Sequence, residues 1–281
     1  MFRARILILF ACTAIASAAV LLQKGPQTKA LQNDMVPPEL ADVQIDEKPG
    51  APLPKDLQFV DHLGHVVRLR DLIDPKKPTL MVMAYYSCPM LCTVVLNGLV
   101  DGMKGLPSSA GLAGEGFRVI TVSIDKRDTA ELAAKKRLNY LAAYGRPDAD
   151  WQFLTDPTGL QSKALADSLG FRYHWDPKGE QFAHAAGAFI LTPDGRLSRV
   201  LYGISFPSET LRLALIEASD GKLGTAWDKI RLFCYHYDPN ARGYVASAWR
   251  IMRLGGVLTL CAMSLLLAFM WRRKPTAVVQ G

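Results

Sequence analysis

Residues 79–86 (TLMVMAYY) are apolar or aromatic at almost every position, and no other feature constrains the fold as strongly. A strand with one face in water alternates apolar and polar residues, so an uninterrupted run marks a strand covered on both faces. Residues 117–125 (FRVITVSID) read as a second buried strand. Two such strands need helices above and below them, and the intervening sequence supplies helices. A helix is expected from Cys92 to about Lys104. Another fits residues 129–144, with Thr129 as cap, Leu132 and Leu138 apolar, and Gly145 as stop. A third fits residues 160–169, closed by Gly170, and a fourth begins at Ser208. Further strands fit a small hairpin over residues 59–69 with Gly64 in its turn and a short strand at 151–154. A last hairpin, 185–191 with 197–202, closes around Pro193-Asp194-Gly195. Strands that alternate with helices and end in a hairpin predict an α/β sandwich with a mixed sheet.

Both ends of the chain carry membrane signals. Arg3 and Arg5 precede an apolar stretch over residues 6–20, and Ala16-Ser17-Ala18 offers a small-residue cleavage site. Leu21 and Leu22 prolong the apolar run, so residues 1–23 read as a signal peptide or an uncleaved anchor. Residues 254–271 (LGGVLTLCAMSLLLAFMW) contain no charge and have no polar face. As a helix they reach about 27 Å, close to a bilayer core, with Trp249 and Trp271 where interfacial aromatics belong. Basic residues tie across this span: Arg242, Arg250 and Arg253 before it, Arg272, Arg273 and Lys274 after it. The export signal breaks the tie. It predicts a cytoplasmic (inner) membrane protein whose main domain faces the extracytoplasmic, periplasmic side. The expected organisation is a linker over 24–52, rich in Pro, Gln, Asp and Lys, then a domain over 53–222. A juxtamembrane segment over 223–253, a transmembrane helix over 254–271 and a cytoplasmic tail over 272–281 complete it.

A net charge of +7 raises the question of an acidic polymer as partner. No run of five or six basic residues occurs, and no aromatic residues interleave with a basic stripe, so no nucleic-acid partner is expected. Much of the excess lies at the termini, where membrane topology accounts for it.

The chemistry concentrates in Ser87-Cys88-Pro89-Met90-Leu91-Cys92, directly after the first buried strand and at the mouth of a helix. Helix N-terminal amides favour a thiolate, and Pro89 suits a first helical turn because it has no amide hydrogen to leave unpaired. Three intervening residues bring the two sulfurs to one side of a turn, where they form a disulfide or share a metal ion. The alternative, two unrelated core cysteines, fits poorly with export to an oxidising compartment.

These residues resemble the Sco/SenC family of copper chaperones. The resemblance rests on Tyr86-Ser87-Cys88-Pro89-Met90-Leu91-Cys92, on Ser123-Ile124-Asp125 with Asp128-Thr129, on Phe171-Arg172-Tyr173, and on Ala183-His184 before AGAFILTPDG. It covers about residues 53–220 and implies a thioredoxin-like fold. It further implies copper bound by Cys88, Cys92 and His184, with Cys88 and Cys92 also forming a redox-active disulfide. Delivery to the CuA centre of cytochrome c oxidase, in subunit II, or to another copper acceptor is implied too, with a thioredoxin-like reductant. Ala183 and Ala185 flank His184 where the family commonly has Asp and Ser or Thr, and Lys126 stands where a proline often follows Asp125. The carboxy-terminal span also differs from members anchored only at the amino end.

The donor types agree with that implication. Two thiolates and an imidazole form a soft, low-coordinate set suited to copper, whereas structural zinc takes a fourth protein ligand and iron–sulfur clusters take four. His174 is the competing histidine, with a loop position as its plainer reading. His62 and His65 flank the Gly64 turn and are expected to face solvent. Cys234 and His236 read either as a second copper site or as part of an aromatic interface segment. Cys12 and Cys261 read as small residues of apolar segments, and Asp125 and Asp128 as helix-entry caps. A thiol–disulfide oxidoreductase that keeps partner cysteines reduced is the alternative function. A peroxidase of this fold would want Thr or Ser three residues before Cys88, where this chain has Tyr85.

Overall fold

The computed structural model describes residues 43–54, 56–88, 91–107, 113–177, 179–219, 235–238 and 243–246, with short helical pieces between 255 and 267. In chain order the elements are β1 (Gln58–Asp61), β2 (Val66–Arg68), α1 (Leu69–Leu72), β3 (Thr79–Ala84) and α2 (Leu91–Lys104). Next come β4 (Arg118–Ser123), α3 (Ala130–Tyr144), β5 (Trp151–Thr155), α4 (Leu160–Leu169), β6 (Tyr173–Asp176) and β7 (Gln181–His184). β8 (Gly187–Leu191), β9 (Leu197–Tyr202), α5 (Ser208–Ala218), β10 (Tyr235–Asp238) and β11 (Gly243–Ala246) follow.

Seven strands form one mixed sheet in the order β2-β1-β5-β4-β3-β8-β9. β3, β4 and β5 run parallel, while β1 and β8 pair antiparallel with β5 and β3. Every residue of β3 is buried, as its unbroken apolar sequence requires. The parallel arrangement brings the loops after β3, β4 and β5 to one edge of the sheet. β8 runs the opposite way to β3, with Leu191 opposite Thr79 and Phe189 opposite Met81. The start of β8 therefore lies at the end of β3, and the residue string before Gly187 arrives beside the CxxxC loop. Strand direction alone produces the juxtaposition on which the site depends.

Several local expectations hold residue for residue. The Thr129 hydroxyl accepts the Leu132 amide at 3.2 Å, and Gly145 closes α3 in the left-handed conformation. The buried face of α3 is made by Ala133, Tyr140, Leu141 and Tyr144. Leu138, although apolar, is exposed. α2 packs without clearance on the loop after β9, because a Cβ on Gly98 would stand 2.0 Å from the Ile204 carbonyl oxygen and one on Gly102 2.4 Å from that of Phe206.

Two hairpins were not anticipated. β6 and β7 form a separate two-stranded sheet, and β10 and β11 form another. The stretch proposed as a linker over 24–52 also behaves differently in its last part. Ile45 bridges Phe171, and Pro52 bridges Arg196. The Asp46 amide donates to the Gly170 carbonyl at 2.8 Å. Ile45 and Leu53 are buried, so burial of two apolar side chains ties this strap to the domain.

The proposed leader, residues 1–23, the tail, residues 272–281, and most of the juxtamembrane segment, residues 223–253, lie outside the described residues. Within 254–271, residues 255–256, 259–260 and 262–267 are helical and exposed, including Leu260, Met263, Leu265, Leu266 and Leu267. Among the described residues no helix is long and apolar enough to cross a membrane.

Candidate metal centre

Cys88 sits in the loop between the end of β3 and the start of α2, and it is buried. Its amide donates to the Tyr85 carbonyl at 3.3 Å, which turns the chain out of the strand. Cys92 falls in the first turn of α2, as the spacing predicts. The side chain of Cys92 lies outside the described residues, as do Pro89 and Met90. Among the described residues no three His, Cys, Asp or Glu side chains stand together as a metal site.

His184 ends β7 and is 6% exposed. Its ring is enclosed by aromatic neighbours: Tyr85 lies edge-on at 6.0 Å between centroids and Phe171 lies at 5.8 Å. Tyr85 is three residues from Cys88, so one side chain of the CxxxC loop rests directly on the imidazole. Cys88 is also close enough for its charge to favour the protonated imidazole. Burial acts more strongly in the other direction and holds the His184 pKa below its ordinary value, with the Ala185 carbonyl and Cys88 opposing it. The ring is therefore neutral near pH 7.

Which nitrogen bears the proton follows from its partner. Nδ1 lies 2.9 Å from the Ala185 carbonyl oxygen. A carbonyl oxygen only accepts, so Nδ1 is the protonated nitrogen and Nε2 is the acceptor nitrogen of the neutral ring. The alanines that flank His184 offer no side-chain partner. The backbone of Ala185 does the work of orienting the ring and selecting its tautomer.

The register of the β6–β7 hairpin places the two candidate histidines on opposite faces. Tyr173 pairs with His184 and Trp175 with Phe182, so these four side chains share one face. His174 pairs with Ala183 and belongs to the opposite face. Phe182 meets Tyr85 at 5.4 Å, so the face that carries His184 is the one turned to the CxxxC loop.

Asp128 does not cap α3. Its Oδ2 accepts the Tyr86 amide at 2.6 Å and the Ser123 hydroxyl at 2.5 Å, with all three groups buried. The carboxylate thus ties the first turn of the CxxxC loop to the end of β4. Asp125 is equally buried and engages Arg127, its Oδ2 accepting from Nη2 at 2.7 Å. The Tyr86 hydroxyl donates to the carbonyls of Thr121 and Leu154, at 3.0 and 2.7 Å, and burial raises its pKa well above the usual tyrosine value. The loop is thus anchored from both sides of Tyr86 while Cys88 hangs beyond it.

His65 is exposed, as expected, but His62 is half-buried and its Nδ1 has no hydrogen-bond partner. Burial and the neighbouring Arg137 lower its pKa. His236 occupies β10 opposite Val245. Its side chain, Cys234, Cys12 and Cys261 lie outside the described residues. The aromatic enclosure of His184 escaped the sequence reading. Period-two alternation in Tyr173-His174-Trp175-Asp176 and Gln181-Phe182-Ala183-His184 is the signal that marks it.

A chemically consistent arrangement emerges: a buried thiol, a neutral imidazole with Nε2 unprotonated, and a second cysteine in the first turn of a helix. Soft thiolates and imidazole suit copper, and Tyr85 and Phe171 pack against the imidazole.

A candidate electron transfer protein of Aquifex aeolicus VF5 superposes with a TM-score of 0.54 at 24% identity, covering 62% of this chain and 96% of that one. BsSco, a member of the Sco family of cytochrome c oxidase assembly proteins, gives 0.49 at 20% identity, covering 63% and 98%. Arabidopsis thaliana ScoI, solved with copper bound, gives 0.46 at 18% identity, covering 61% and 98%. Comparison with curated protein sequences gives no match. The SCO1/SenC family model matches residues 45–213, well over half of the chain and the whole of the main sheet. The chain belongs to the SCO1/SenC family.

Proposed function

We propose that this chain is a copper-binding metallochaperone of the cell envelope. Cys88, Cys92 and His184 are its ligands, and its cargo goes to the CuA centre of cytochrome c oxidase subunit II. The observation that carries this reading is buried Cys88 close enough to act electrostatically on a buried, neutral His184 whose Nδ1 is held by the Ala185 carbonyl. SCO1/SenC membership supports it. Copper is the natural cargo for two sulfurs and one imidazole. Binding as thiolates displaces the two thiol protons, so affinity falls at low pH.

The same pair sets when cargo is accepted. Oxidation of Cys88 and Cys92 to a disulfide removes two electrons and two protons and leaves no thiolate for the metal. A thioredoxin-like reductant returns both by thiol–disulfide exchange. Copper loading is therefore conditional on the redox state of its own ligands. The oxidoreductase alternative uses the same two sulfurs but gives His184 no task. A buried imidazole oriented by a backbone carbonyl favours the metal reading.

The exposed apolar helical residues between Leu260 and Leu267 support an anchor over 254–271. On this reading the domain stands on the extracytoplasmic side of the inner membrane, at the surface where an oxidase subunit would present its copper site.

Complementation of a strain lacking the chain tests delivery. Full-length wild type restores oxidase activity and the CuA signal. Cys88→Ser and Cys92→Ser restore neither, while membrane levels of the protein stay normal. Oxidase assembly supported by either serine variant would overturn the proposal.

A further inference from the structure

We infer that the cleft beside the candidate metal centre is the docking site for an acidic, apolar-anchored peptide segment of the protein that exchanges copper with this chain. The inference deepens the proposed function and rests on it. The cleft has a volume of about 470 Å³ and lies along the sheet edge that carries the CxxxC loop, between the loops after β4 and β5 and the β6–β7 hairpin. Tyr173, Trp175 and Phe182 form one wall. These belong to the hairpin face that also presents His184. Ring contacts run without a break from the metal side to the cleft: His184 to Tyr85 at 6.0 Å, Tyr85 to Phe182 at 5.4 Å, Phe182 to Trp175 at 5.1 Å. A segment seated in the cleft is thus about two side chains from the imidazole.

Its chemistry selects the occupant. Leu160 and Trp175 are large apolar side chains left exposed, and both line this cleft. Exposed apolar surface that is concave and rimmed by polar groups marks a binding site. The rim is cationic, with Lys126 and Arg127 from the β4–α3 loop and Lys163 from α4. Arg127 lies over the Trp175 ring, 4.6 Å from its centroid. It is 59% exposed while its partner Asp125 is 1% exposed, so the positive end faces outward and the balancing carboxylate is inside. Lys163 pairs with Asp167 and contributes less. Lys126 is exposed. An apolar floor beneath a positive rim is complementary to an apolar side chain flanked by carboxylates. The amides at the start of α4 do not add an anion site, because Asp156 already accepts those of Gln161 and Ser162.

The test uses the purified full-length chain in detergent and a fluorescein-labelled peptide that alternates Glu and Leu. A control peptide carries Gln for every Glu. Anisotropy is expected to show binding of the Glu peptide, weakened by salt, and binding about tenfold weaker for the Gln peptide. Lys126→Glu and Trp175→Ala each weaken the Glu peptide about tenfold, while Cu(I) uptake by the reduced variants matches wild type. Equal affinity for the two peptides, or unchanged binding by both variants, overturns the docking site. So does binding to phosphatidylglycerol vesicles that Lys126→Glu abolishes, if the peptide does not bind; the patch then meets lipid. A wild-type chain that binds the peptide as expected but takes up no Cu(I) overturns the copper reading alone.

Discussion

His184 illustrates how much of the candidate centre is decided by single atoms. Its Nδ1–H is committed to the Ala185 carbonyl, Tyr85 and Phe171 pack against the ring, and Nε2 is the unprotonated nitrogen. The same burial has a consequence for stability. An unfolded chain protonates this histidine near pH 6.5, whereas burial delays protonation of the folded chain to lower pH. Between those two values the unfolded state holds more protons, so stability falls as pH drops below about 6.5 and the loss is complete below the folded value. His184→Gln removes that component. Urea unfolding of the reduced, metal-free chain is expected to give a flatter stability profile between about pH 7 and about pH 5 for the variant. His62, whose pKa is also lowered, remains and keeps a residual slope. Identical profiles for the two proteins would mean that His184 is not buried as described.

At the scale of elements, α2 is held by the absence of side chains. Ala exceeds Gly in helix propensity by about 1 kcal/mol, so Gly98→Ala would stabilise an unencumbered helix. Here the new Cβ would stand 2.0 Å from the Ile204 carbonyl oxygen, in backbone that has no side chain to swing aside. The clash wins, and Gly98→Ala is expected to lower stability by about 1–3 kcal/mol and to weaken Cu(I) affinity by displacing the CxxxC helix. Thermal unfolding and chelator competition measure the two effects; a stabilised variant would show that the helix stands clear of the loop. The elements themselves were largely legible, β3 from its unbroken apolar run, α3 from Thr129 and Gly145 at its ends, and α4 from Gly170 at its close. The β6–β7 hairpin was not, since its strands are four residues each and its outward positions are mixed. Missing that hairpin hid the face that separates His184 from His174. The roles of Asp125 and Asp128 were missed for a related reason. A carboxylate just before a helix looks like a cap in sequence, and only the fold brings the Tyr86 amide and Ser123 hydroxyl within reach of Asp128.

The whole molecule assembles its centre from segments about a hundred residues apart in sequence, by running β8 against β3. Spacing within the chain reveals Cys88 with Cys92, but not the approach of His184, which depends on strand direction; the family resemblance pointed to it. Residues 43–52 of the strap were read as the end of the linker because the stretch is rich in Pro, Gln, Asp and Lys and lacks periodicity. Its docking rests on Ile45 and Leu53 and on backbone bonds that composition does not announce. The central claim is that two sulfurs and one imidazole, supplied by both parts of the chain, hold the same ion. X-ray absorption at the copper edge of the reduced, Cu(I)-loaded full-length chain tests it most directly. The predicted spectrum has two sulfur neighbours and one nitrogen neighbour for a single copper per chain, with the nitrogen lost in His184→Ala. Copper bound without sulfur neighbours, or a wild-type spectrum unchanged by His184→Ala, would contradict it.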